Sequence, residues 1–146
     1  MNLPEILTAL KAALVNSTSL SSVADANIFL GKRSNITEYP TIVIIPGQNR
    51  KVRDVFPKEN WTAKVMIVGA IKVFDESKYI VGDSNILGIA DLDNNIRKAL
   101  SEDHTLGGKC INLSIMDTDL SYDGDYPEVG TVIGIEILYE QNRTTR

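Results

Sequence analysis

An α+β domain of two layers, a mostly antiparallel sheet with two amphipathic helices packed on one face, is the fold predicted by three features of this 146-residue sequence. The stretch Trp61–Phe74 alternates at the two-residue period of a strand. Trp61, Ala63, Val65, Ile67, Gly69, Ile71 and Val73 form a face that is apolar throughout, and the opposite face carries Lys64 and Lys72 near its ends. Residues 3–15 and 85–101 place apolar side chains at intervals of three and four, the spacing of a helix with one buried stripe. Ile133, Ile135, Ile137 and Tyr139 then all point one way in a last strand. Two stripes of this kind cover one face of a sheet and leave the other open.

In chain order, Asn2, Pro4 and Glu5 form a helix start: a capping side chain, a proline in the first turn and an early acid. Leu3, Ile6, Leu7, Leu10 and Leu14 make the stripe that follows, and the polar run Asn16–Ser22 ends it. Asn27–Leu30 suits a short strand, and residues 31–38 a loop. Thr41–Ile45, β-branched and bracketed by Pro40 and Pro46, reads as a short buried strand. Residues 47–60, dense in charge, read as an extended hairpin arm or mobile loop before the central strand, because a connection of this length is usually functional or disordered. That strand spans about 46 Å at roughly 3.3 Å per residue, and Gly69 marks the expected bend or bulge. After a turn at residues 76–84, Asp83 or Ser84 caps the second helix, whose stripe is Ile86, Ile89, Ala90, Ile96, Ala99 and Leu100. Gly107 and Gly108 end that region. The next strand starts at Lys109, with Ile111, Leu113 and Ile115 on one face and Asp117 and Asp119 continuing it into solvent. The loop DGDYPEVG leads to the last strand, and the tail from Asn142 is polar and frayed. The expected core is Ile67, Ile71, Ile111, Leu113, Ile133 and Ile135 beneath Leu7, Leu10, Ile89 and Ile96.

The length fits one domain, residues 1–146, with a sizeable core. A net charge of −4 argues against a protein whose main task is gripping nucleic acid. One cysteine, Cys110, excludes an internal disulfide framework and suits a reducing compartment. MNLPEILTAL lacks a basic region ahead of its apolar residues, and no apolar run reaches the ~18 residues of a membrane span, so a cytosolic, membrane-free protein is expected.

Catalytic chemistry finds few handholds. His104 is the sole histidine, sits at a helix end, and has no nucleophile elbow nearby. Cys110 lacks a CxxC partner and reads as a packed thiol. The alternating acids of DTDLSYDGD resemble the start of a calcium loop, with Glu128 twelfth from Asp117. Tyr122, however, stands where that loop needs glycine. A solvated strand end explains the same residues. Arg50, Lys51 and Arg53 form a basic group without the aromatic platform that stacks bases. Neither a phosphate loop nor a dinucleotide fingerprint is present. No enzyme activity, cofactor or metal is expected.

The order of elements resembles the tail terminator (tail completion) proteins of long-tailed bacteriophages. The resemblance is carried by the N-terminal helix, YPTIVIIPG at residues 39–47, the charged arm, WTAKVMIVGAIKVF, the helix ILGIADLDNNIRKAL and the closing TVIGIEILYE. It covers nearly the whole chain and rests on element order, with no catalytic residue to carry over. It implies a homohexameric ring on the last layer of the tail tube, which stops tube growth and presents a surface to the neck connector. The implied partners are its own copies, the tail tube protein, the connector and, in a contractile tail, the sheath. The implied location is the tail–neck junction of a virion assembled in the host cytoplasm, with DNA passing through the hole and no membrane involved. Arg50, Lys51, Val52, Arg53, Asp54, Val55 and Phe56 are the expected subunit or partner contacts of the arm. Asp117, Asp119 and Asp123 are candidates for the wall of the hole, where carboxylates would repel DNA phosphates. Another neck or head–tail joining protein, and a small ligand-binding or enzymatic α+β domain, stand as alternatives.

Overall fold

A computed structural model describes residues 2–31, 38–72, 77–83, 86–121 and 128–142. Helices α1 (Leu3–Asn16) and α2 (Ile89–Glu102) accompany five strands, β1 (Ile28–Leu30), β2 (Thr41–Val55), β3 (Lys58–Lys72), β4 (Asn112–Ser121) and β5 (Glu128–Asn142). The strands form one sheet in the order β1-β2-β3-β5-β4. Among the described residues only β1 against β2 is parallel, and the other three pairs are antiparallel. The α+β expectation holds, with β3 at the centre. Among the described residues no helix is long and apolar enough to cross a membrane.

Asn2 caps α1 as expected, its Oδ1 accepting from the Glu5 N–H at 3.0 Å. Ile6, Leu7, Leu10 and Leu14 are the buried stripe. They join Ile89, Leu92, Ile96, Ala99 and Leu100 of α2 in a single core over Ile44, Val65, Ile67, Ile133, Ile135 and Ile137. Buried apolar area of this kind contributes roughly 25 cal/mol per Å² and holds both helices to one face. Asp93 and Thr131 are polar residues that enter the layer between α2 and the sheet. Asp93 of α2 is buried and accepts from the Thr131 hydroxyl at 2.7 Å and the Arg97 Nε at 3.0 Å, so its burial is compensated.

Several local expectations are corrected. Helix α2 begins at Ile89, four residues late, with Gly88 as its cap residue. The Asp91 carboxylate reaches back to the N–H groups of Gly88 and Gly82 at 3.0 and 2.7 Å. Asp83 instead caps the preceding turn, accepting from Ile86 N–H at 2.9 Å, and Ser84 lies outside the described residues. Gly69 is no bulge: β3 pairs with β5 without interruption from Lys58 to Lys72. A Cβ at Gly69 would stand 2.9 Å from Ile96 Cδ1 and 3.0 Å from Leu92 Cδ2, so the glycine lets α2 approach the sheet. The bulges lie elsewhere, between Pro46 and Asn49 and between Lys51 and Arg53 of β2, and between Ile115 and Asp117 of β4. Pro46 therefore does not end its strand, which runs on to Val55. Strand β4 begins at Asn112, after Gly107 and Gly108 turn the chain at φ +68° and +85°, and β5 begins inside the expected loop at Glu128. Ile111 is 47% exposed and does not belong to the core; the other expected core residues do.

Candidate functional site

The charged segment is a hairpin, not a loose loop. Strands β2 and β3 pair out to Val55–Lys58 around a turn at Phe56 and Pro57. Strand β5 continues beside β3 as far as Asn142 opposite Lys58, so the arm is three strands wide. Tyr139, fully buried, donates to Asn49 Oδ1 at 3.0 Å across the intervening β3 and braces the arm against β5. Burial pushes its phenol above the ordinary range. Lys51 lies between Glu59 at 3.1 Å and Asp54 at 3.4 Å, which raise its pKa, and sits 6.0 Å from the centre of the Trp61 ring. The Trp61 Nε1 is buried without a hydrogen-bond partner among the described residues.

The arm's expected contact residues are thereby brought together at one end of the sheet. Val52 is 60% and Phe56 51% exposed, while Arg50 and Arg53 point from the helix-free face. The Val55 side chain is outside what the structure describes. Residues the sequence did not single out complete the surface. A groove of about 250 Å³ at the tip joins Arg53 and Phe56 to Lys58, Asn60 and Glu140. A second, of about 370 Å³, joins Gln48, Arg50 and Val52 to Thr62, Lys64 and Glu136. Glu136 and Glu140 could have been anticipated from the length of the last strand pattern alone.

The acidic pair lies at the opposite edge of the sheet and on a different face from the one expected. Leu113 and Ile115 pair with Ile137 and Ile135 and face the helices. The bulge at Met116 then inserts one residue and reverses the alternation. Asp117 pairs with Gly134 and Asp119 with Val132, so both carboxylates stand on the helix-free face, exposed to solvent. Asp117 lies directly over Gly134, where any side chain would collide with it. Asp123 is outside the described residues, as is most of the calcium-like loop. Among the described residues no three of His, Cys, Asp and Glu come close enough to hold a metal. Cys110 donates to the His104 carbonyl at 3.6 Å. Burial, then the charge of Asp103, push its thiol up to about 11, far from a reactive thiolate.

No protein-family profile matches this chain, and no curated protein sequence does. Among solved structures, the chain is similar to a chain of the virion of a native gene transfer agent (GTA) particle. The TM-score is 0.61 at 6% identity, over 93% of this chain and 95% of that one. The likeness is one of fold, and it runs nearly end to end.

Proposed function

We propose that this protein is a structural subunit of a phage-like virion, and within that class a tail terminator. The observation that carries the reading is the near end-to-end correspondence of fold with a chain of a gene transfer agent virion. In this reading six copies form a ring on the last layer of the tail tube, stop its growth and offer the opposite surface to the neck connector. A sheath would be a further partner if the tail is contractile. DNA passes through the hole without specific binding, and the protein works at the tail–neck junction without catalysis. The arm supports the reading physically. It holds Val52 and Phe56 exposed among charges, the mixture that contact cores and rims are made from. Arg50–Phe56 would then touch a neighbouring subunit or tail partner.

The test is assembly. Purified protein, alone and mixed with tail tube protein, is followed by sedimentation velocity and negative-stain imaging. Closed rings that cap tube ends and halt their elongation are the expected result. Rings that bind a neck connector and ignore the tube would make this a neck component. A chain that neither self-associates nor binds either partner would overturn the virion assignment.

A further inference from the structure

The two edges of the sheet carry opposite charges, in matching positions. On one edge, β1 shields only Ile42–Ile44 of β2, so the rest of β2 has no strand neighbour on that side among the described residues. On the other edge, β4 pairs with β5 alone among the described residues. Arg50 and Arg53 stand on the first edge, Asp117 and Asp119 on the second, all on the helix-free face, and none forms an ion pair among the described residues.

Resting on the ring reading above, we infer that β4 of one copy docks along the free part of β2 of the next, antiparallel, with Asp117 facing Arg53 and Asp119 facing Arg50. The directions are right. Strands alternate from β2 through β3 and β5 to β4, so a copy placed edge to edge continues the antiparallel pattern. The spacing is right as well. Arg50 is level with Thr62 and Leu138, and Arg53 with Asn60 and Glu140. The arginines are thus two rungs apart despite being three residues apart, because the bulge takes up Val52. Asp117 and Asp119, level with Gly134 and Val132, are also two rungs apart.

One stagger satisfies both charge pairs. Moving the neighbour by six rungs, from the level of Glu140 to that of Gly134, sets Arg53 beside Asp117; the same move, Leu138 to Val132, sets Arg50 beside Asp119. At roughly 3.4 Å per residue this is about 20 Å. The same displacement takes the neighbour's β1, level with Thr131–Ile133, past the end of β4 at the level of Gly130, so β1 does not obstruct the contact. Like edges cannot pair well, since two β4 edges would set carboxylate against carboxylate and two β2 edges arginine against arginine. Only unlike edges fit. That makes the contact head-to-tail, the kind that closes into rings. It also places the acids between subunits and not on the wall of the hole.

Charge exchange tests this. Asp117→Lys with Asp119→Lys, and separately Arg50→Glu with Arg53→Glu, should each raise the concentration for half-association by at least about tenfold. Mixing the two variants should restore association, because each then offers the edge the other needs, and a chain carrying all four changes should associate with itself. A disulfide version guards against misfolding: Arg53→Cys plus Asp117→Cys should give a ladder of linked multimers on oxidation, and either change alone no more than dimers. If both reversed variants form rings like the wild type, this contact is refuted while the ring reading stands. Intact rings in which the Asp117→Lys, Asp119→Lys form alone retards DNA would put the acids in the hole. Wild-type protein that stays monomeric at every concentration and beside tube protein overturns both readings.

Discussion

Gly69 shows how one missing side chain sets the distance between the two layers. Its hypothetical Cβ meets Ile96, Leu92 and, at 3.2 Å, Thr131. Gly69→Val should therefore destabilise the fold by about 1–3 kcal/mol through overpacking, measured as a lower urea midpoint. Ile96→Val should recover part of the loss, since the two sites share one contact and their effects will not add. An unchanged midpoint for Gly69→Val would mean that α2 sits further from the sheet. Two protonated groups give a second prediction at this scale. The Tyr39 phenol donates to Glu128 at 2.5 Å, and that bond, burial and the carboxylate's charge push it up to about 12. Cys110 is pushed up to about 11. Both folded-state values are raised, so their stabilisation is complete below pH 9 to 10 and is lost as pH rises through 11 and 12. Melting temperature should fall along that limb, and Tyr39→Phe should flatten its upper part. A Tyr39→Phe profile parallel to wild type would remove Tyr39 from the account.

At the scale of elements, the arm and the core are separable. Among the residues whose side chains the structure describes, no buried hydrophobic residue lies between Ile44 and Ala63, because the helices cover only the other half of the sheet. Replacing residues 52–60 by Asn-Gly would join Lys51 to Trp61, which are paired, through a two-residue turn. The shortened protein should melt within a few degrees of the wild type yet fail to assemble. Wild-type rings after the deletion would show that the arm is not a contact. The Asp93–Thr131 bond works in the other direction, tying α2 to β5 inside the core. Asp93→Ala should cost about 1–3 kcal/mol by leaving the Thr131 hydroxyl buried and unpaired. Thr131→Val, which removes the stranded group, should recover part of that loss when combined with it.

At the scale of the molecule, the helices cover one face of the sheet, and among the described residues its two edges have few strand neighbours, so much of its unused hydrogen-bonding capacity points sideways. Pro46, the bulges and the edge charges discourage indiscriminate pairing. Charged edges of opposite sign also make association salt-sensitive. Raising salt from about 0.1 to 1 M shortens the screening length from about 10 Å to about 3 Å, so rings should loosen measurably in sedimentation. Association that strengthens with salt would instead point to an apolar contact through Val52 and Phe56.

The sequence by itself determined the α+β class, both helices, the phase of the central and last strands, and the Asn2 cap. Each follows from a local period or a local side chain, and burial then reinforces the same choice. Only the tertiary structure decided the rest. The sequence marks a charged arm, but not that β5 runs beside it and makes it three strands wide, because strand pairing depends on partners about eighty residues apart. The glycine at position 69 reads as a bulge until α2 is seen resting on it. The face of Asp117 and Asp119 hangs on one inserted residue, Met116, and a shift of one residue turns every later side chain over. Opposite charges at opposite edges, two rungs apart on each, exist only once the strands are ordered β1-β2-β3-β5-β4. No local period contains that order, because it is set by which long-range pairings together bury the apolar faces.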